Sequence, residues 1–175
     1  MAADVAMGVG RPHCQSVMQI RKAERCDVRS IVQLLADDML GTAREKIGSP
    51  LPIAYQSAFE AIDQDSNQLL AVMVEDDAVV GTLQLTFIPG LSRQGATRGQ
   101  IEAVRISAAR RSEGLGEKLV EWAIERCRER GCALVQLTTD RRRGDAHRFY
   151  ERLGFEATHL GYKRELPGAA RHTRT

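Results

Sequence analysis

The residues best suited to chemistry lie in Arg111-Ser112-Glu113-Gly114-Leu115-Gly116, between an apolar run ending at Ile106 and an amphipathic run beginning at Leu115. That placement predicts a glycine-bearing turn that joins a strand to a helix. The first amides of a helix lack intrahelical partners and stand at the positive end of its dipole, so a turn of this kind grips an anion. Gly114 and Gly116 let the backbone approach closely, and Arg110 and Arg111 add positive charge beside it. The expected anion is a phosphate.

Missing residues narrow the ligand. A dinucleotide fingerprint would need a third glycine where Leu119 stands. A nucleoside triphosphate loop would need Gly-Lys-Ser or Gly-Lys-Thr after its spacer, and Gly116-Glu117-Lys118-Leu119 does not supply it. The stretch instead resembles the R/Q-x-x-G-x-G/A pyrophosphate loop of the GNAT acetyltransferase superfamily, with Arg111, Gly114 and Gly116 at the defining positions. A second segment, from Asp145 through Phe149-Tyr150 to Gly154-Phe155, resembles the same superfamily at the expected distance downstream. The likeness extends from Met18–Ala23 with Asp27, through Val80-Gly81, to Glu165.

This resemblance implies acetyl-CoA as cosubstrate, with no metal. It also implies an α/β fold with a mixed, mostly antiparallel sheet of about seven strands flanked by about four helices. The two central strands are expected to splay after Ile106 and leave a wedge for the pantetheine arm. The implied cofactor contacts are Arg111, Ser112, Glu113, Gly114, Leu115 and Gly116 at the pyrophosphate, the backbone of Val104, Arg105 and Ile106 along the arm, and Asp145 and Tyr150 from the second segment. The chain departs from the superfamily at Arg143, which stands where an asparagine is common.

Moving an acyl group from a thioester to an amine requires a neutral amine, donors for the tetrahedral oxyanion, and a proton for the leaving thiolate. A phenol with an ordinary pKa near 10 stays protonated at neutral pH, and Tyr150 stands where the superfamily often places the acid. Its alternative role is packing beside Phe149, itself a core candidate. Glu102 could take the ammonium proton through a water, or be a solvated or salt-bridged strand carboxylate. Backbone amides around Val104 to Ile106 are expected to meet the oxyanion. Asp145 is expected to cap the helix carrying Tyr150, and Asp27 to cap or compensate the first helix. His147, one turn before Glu151, is either solvated or a ligand contact and receives no catalytic role.

Periodicity supplies the elements that must position these groups. Met18–Ala23 reads as a strand, and Val28, Ile31, Val32, Leu35 and Met39 share one helix face. Residues 41–52 interrupt the pattern, a helix follows over 53–62, and a hairpin joins 69–74 to 79–88 across Asp76-Asp77. Alternation over 100–106 puts Glu102, Val104 and Ile106 on one face and Ile101, Ala103 and Arg105 on the other. Leu119, Val120, Ala123, Ile124 and Cys127 form the buried stripe of the next helix, which stops at Gly131. A strand over 133–137, a helix over 146–153, and closing strands over 155–158 and 162–166 complete the chain.

The length of 175 residues suits one domain, expected over 18–166 between disordered tails at 1–17 and 167–175. A net charge of +2 demands neither nucleic acid nor an anionic membrane as partner. Cys14, Cys26, Cys127 and Cys132 form no Cys-x-x-Cys pair, so reduced thiols and a cytoplasmic location are expected. The reading is an N-acetyltransferase acting on a primary amine, a small molecule in preference to a protein, with a homodimer left open. Its alternative is a catalytically weak acyl-CoA-binding sensor or regulatory module. The rims at 41–52 and 89–99 are mixed in charge and select no acceptor class.

Overall fold

The computed structural model describes residues 17–37, 42, 44–164 and 166. In chain order its elements are β1 (Met18–Lys22), α1 (Val28–Ala36), α2 (Ile53–Gln64), β2 (Gln68–Glu75), β3 (Ala78–Ile88), α3 (Ser92–Gly95), β4 (Arg98–Ile106), α4 (Leu115–Glu129), β5 (Leu134–Leu137) and α5 (Gly144–Arg152). The strands form one sheet in the order β1-β2-β3-β4-β5. All neighbours are antiparallel except β4 and β5, whose parallel pairing requires a crossover that α4 provides.

The apolar run in β2 is continuous because both its faces are covered, and Ala71, Val72 and Met73 are fully buried. Ala71 and Met73 pack in the cluster that contains Leu119, Val120, Ala123 and Cys127 of α4. Val72 joins the other cluster, with Val28, Ile31 and Val32 of α1 and Phe59 of α2. The hairpin to β3 turns on Asp76 and Asp77, both at positive φ (45° and 64°), the backbone that a two-residue turn needs to follow sheet twist. Aspartate tolerates that region better than most residues.

α4 lies close to β4 because residue 99 is glycine: a Cβ there would collide with the Cys127 sulfur. Burial pushes the Cys127 thiol up to about 12, so it remains a protonated core residue. The helix ends at Gly131 (φ 71°), with the Cys132 amide donating to the Cys127 carbonyl and the Gly131 amide to that of Arg128, both at 2.9 Å. This pair of closing bonds needs a left-handed residue at that point.

Asp27 is buried at the entry to α1 but makes no side-chain cap bond to it. Its carboxylate reaches back instead, accepting from Arg21 at 2.6 and 3.1 Å and from the Glu24 amide at 2.8 Å. Burial pushes the Asp27 carboxyl up; Arg21 and the Glu24 amide outweigh it and hold it below the usual carboxylate range. Asp27 caps one turn earlier than the start of α1, as the third residue of a capping box with Glu24, and through Arg21 it ties the end of β1 to that first turn.

The four expected helices form, and α3 adds a single turn in which Arg93 and Gln94 are left-handed. Among the described residues the sheet has five strands, not about seven. Among the described residues, the expected closing strands at 155–158 and 162–166 make no ladder. Gly154 (φ 81°) ends α5 and folds Phe155 back toward Tyr150, and the apolar alternation beyond it leaves Leu160, Tyr162 and Leu166 exposed, with no face to bury against. Apart from Val17, the tails expected to be disordered lie outside the described residues, as do Cys14, Met39 and Glu165.

Replacing Asp27 with asparagine removes a charge-assisted pair and should cost about 2 kcal/mol in urea unfolding at neutral pH. Because the folded carboxyl is depressed, its contribution is complete above the ordinary carboxylate range and is lost as pH falls through the lower folded value. The stability gap between parent and variant should therefore close in acid; a gap independent of pH would remove the ion pair as its cause.

Candidate active site

β4 ends at Ile106, and a 3-10 turn over Ala108–Arg110 leads into the glycine-bearing turn. Ser112 (φ 68°) and Gly114 (φ 76°) are both left-handed there. A Cβ on Gly114 would meet open space, so this glycine is needed for its backbone angle rather than for room. Gly116 has the opposite reason: a Cβ would lie 3.4 Å from the Phe149 ring and 3.8 Å from Ile106. Gly114 offers no side-chain cap, and the first intrahelical bond is from the Lys118 amide to the Gly114 carbonyl at 3.2 Å. The amides that precede Lys118 are the donors available to an anion.

The two arginines before this turn are occupied in building it. Arg110 pairs with Glu75, with an Nη2 bond at 3.2 Å, and donates from Nε to Glu113 at 2.9 Å. Arg111 donates from Nε to the Ile106 carbonyl at 3.2 Å and from Nη2 to the Asp37 carbonyl at 2.6 Å. The Asp37 carboxylate also accepts the Ala108 amide at 3.0 Å. One residue at the end of α1 therefore anchors the whole approach to α4.

β4 and β5 pair only from Arg98–Leu134 to Ile101–Leu137. They separate after Ile101 rather than after Ile106, because β5 is only four residues long. Within the freed part of β4, Ala103 has φ 52° and the register against β3 jumps from Gln84–Glu102 to Thr82–Arg105. This is a bulge, with one extra residue on β4. It overturns the simple alternation: Val104 and Ile106 join Ile101 on the α4 side, while Glu102 and Arg105 share the opposite face with their partners Gln84 and Thr82.

Beyond the bulge, Arg105 pairs with Thr82 and the Ser107 amide donates to the Val80 carbonyl at 2.9 Å. Backbone groups of alternate residues address opposite sides, so those of Val104 and Ile106 address the wedge. There the Val104 carbonyl accepts from Arg105 Nη1 at 2.8 Å and the Ile106 carbonyl from Arg111. The amides of the same two residues face the gap. Glu102 is exposed at its mouth.

α5 supplies the other wall. Tyr150 is wedged edge-on between Phe149 at 5.0 Å and Phe155 at 5.9 Å between ring centroids. Burial raises its phenol above the ordinary value, while Arg143 and Arg105 pull the other way. No protein hydrogen bond holds the hydroxyl among the described residues. Asp145 does not cap α5. It lies inside the first turn, paired with Arg148, and Arg143 takes the N-cap position without a side-chain capping bond to the helix. His147 Nε2 contacts the Asp140 carbonyl at 3.1 Å, which gives it a local partner. On the far rim, the Tyr55 hydroxyl donates to Glu45 at 2.8 Å and accepts the Lys46 amide at 3.0 Å, tying the 44–48 stretch to α2.

The model of the acetyltransferase (GNAT) family matches residues 28–155. The chain belongs to this family. It is 28% identical over 142 residues to the aminoalkylphosphonate N-acetyltransferase of Salmonella typhimurium LT2, covering 81% of this chain and 92% of that one. It is 34% identical over 114 residues to glucosamine 6-phosphate N-acetyltransferase 1 of Oryza sativa subsp. japonica, covering 61% and 67% respectively. The crystal structure of a transcriptional regulator from Bacillus halodurans C-125 matches with TM-score 0.84 and 49% identity, over 86% of this chain and all of that one. The protein is an acetyltransferase with the GNAT fold.

For this GNAT chain the sequence brought the glycine turn, β4 and Tyr150 to one place. It missed the Ala103 bulge, for which alanine gives no signal, and the Asp37 anchor, which is remote in sequence. Among the described residues, no group of histidine, cysteine, aspartate or glutamate side chains could hold a metal ion, and no helix is long and apolar enough to cross a membrane. Gly114→Val should abolish acetyl-CoA binding in calorimetry while circular dichroism stays close to the parent's, since the site needs a left-handed residue in otherwise open space. Undiminished affinity in a folded variant would displace the pyrophosphate site from this turn.

Proposed function

We propose that this acetyltransferase moves the acetyl group of acetyl-CoA to the primary amine of a small molecule by direct attack in a ternary complex. The observation that carries the reading is the pairing of Tyr150, rigidly packed with its hydroxyl unclaimed, with an open wedge beside a bulged β4. Two relatives are named for acetylating small amines, an aminoalkylphosphonate and glucosamine 6-phosphate. Residues Arg111 to Gly116 hold the pyrophosphate on the uncapped start of α4. The Val104 and Ile106 amides hold the arm and meet the oxyanion.

Glu102 accepts the ammonium proton through a water, and the free amine attacks the thioester carbonyl. The carbon–sulfur bond breaks as Tyr150 gives its proton to the thiolate. Burial favours the neutral phenol before that step, and Arg143 and Arg105 stabilise the phenolate after it.

Tyr150→Phe keeps the ring packing and removes the proton, so single-turnover acetyl transfer should slow by about 10²- to 10⁴-fold with acetyl-CoA affinity retained. Parent-like rates would take Tyr150 out of the mechanism. Glu102→Gln should lose most rate at low pH, where free amine is scarce; a pH profile parallel to the parent's would make that carboxylate structural. The likeness to a transcriptional regulator favours a second reading, an acyl-CoA-responsive module. Acetyl-CoA that raises the melting temperature without thiol release against any amine would select it.

A further inference from the structure

The sheet face that carries Glu102 also carries a row of uncharged amides, brought together by the ladder itself. Gln84 stands directly across from Glu102, and Gln100, two residues before Glu102 and ahead of the bulge, stands between Thr86 on β3 and Gln136 on β5. Hydrogen bonds run along this face. Gln68 Oε1 accepts from Gln84 Nε2 at 3.0 Å and from Thr86 Oγ1 at 2.9 Å, and Gln100 Oε1 accepts from Gln136 Nε2 at 2.7 Å. α1 and α2 cover the face over Val72 and leave the amides partly exposed, with Gln136 and Glu102 open to solvent.

These bonds hold the amides in one orientation. Gln84 and Gln136 each commit the NH2 group to a neighbouring glutamine, and among the described residues neither side-chain carbonyl accepts a bond from the protein. Two positioned acceptors therefore stand on strands two ladder spacings apart, about 10 Å, with the Glu102 carboxylate beside the first.

A ligand that meets them must bring hydrogen-bond donors besides its amine. Hydroxyl groups do so without charge. A polyamine would set further ammonium groups against a row that holds no carboxylate except Glu102, and an anionic tail would find no cation in the row. An apolar amine would desolvate both carbonyls and leave them unpaired. A six-membered ring with hydroxyls on opposite sides, and a hydrogen bond at each end, spans the gap.

Resting on the acetyltransferase reading above, we propose that the acceptor is a polyhydroxylated primary amine, an amino sugar or an amino polyol, and that Gln84 and Gln136 bind its hydroxyls while its amine lies at Glu102.

The test compares D-glucosamine, 1-amino-1-deoxy-D-sorbitol, cyclohexylamine, spermidine and 2-aminoethylphosphonate as acceptors with acetyl-CoA. Each kcat/KM is divided by the fraction of amine that is unprotonated at the assay pH, so that basicity does not enter, and then by the value for cyclohexylamine, which cancels general damage to catalysis. The parent ratio should exceed about 20 for the ring sugar, the open-chain polyol or both, from two neutral hydrogen bonds worth about fivefold each. The two arms tell the forms apart. Gln84→Leu and Gln136→Leu should each lower the ratio about fivefold. Gln136 is exposed on the edge strand, so its variant decides the matter should Gln84→Leu fail to fold. A parent ratio near one, a preference for spermidine or 2-aminoethylphosphonate, or a ratio unmoved in the leucine variants would overturn the proposal. Should no amine be acetylated, the acetyltransferase reading fails separately. Saturation-transfer NMR of D-glucosamine with the CoA-loaded protein then decides the amide row: a signal weakened in Gln136→Leu supports it, and a signal absent or unmoved overturns it.

Discussion

The parallel ladder between β4 and β5 stops at Ile101 and Leu137, and the site follows from that stop. Five more residues of β4 continue without a neighbour on that side. Unpaired backbone groups need partners, and in this molecule some come from arginine side chains while others are left for a ligand. The Ala103 bulge then sorts the side chains of the freed segment: apolar Val104 and Ile106 stay with the α4 core, and charged Glu102 and Arg105 share the other face. A regular strand would have put Glu102 on the same face as Val104 and Ile106.

Charge around the wedge is divided between building and working. Arg110 is paired with Glu75 and Glu113 and Arg111 with Asp37, three carboxylates to two guanidinium groups, so the positive potential that the turn offers an anion comes from backbone amides. Rigid amides lose little freedom when an anion arrives, unlike long side chains that must be gathered. At Tyr150 the balance differs. Burial holds the phenol neutral while nearby guanidinium groups lower the cost of its anion, which is the pair of tendencies a proton donor needs.

The sequence was most legible where the chemistry is local. A turn that must be left-handed at Gly114, a helix stripe from Leu119 to Cys127 and an aromatic pair before Gly154 all announce themselves within a few residues. It was least legible where contacts are remote. Nothing near Asp37 foretells its bonds to Ala108 and Arg111, about seventy positions away. Alternation failed in β4 because alanine rarely takes a positive φ, so period two was the correct default and the bulge the exception. It failed again at 162–166, where Tyr162 and Leu166 are exposed. Asp27 and Asp145 show a third limit. A carboxylate near a helix start can bond forward, backward or sideways, and only the surrounding side chains choose.

The bulge also divides β4 dynamically. Residues Arg98 to Ile101 are laddered on both sides and packed beneath α4, so their amides open only when the sheet itself comes apart. Past Ala103 the strand's ladder bonds run to β3 alone, while Val104 and Ile106 stay packed against the α4 core. Amides at the doubly laddered base of the strand are therefore expected to exchange more slowly than those beyond Ala103, with the boundary at a single alanine.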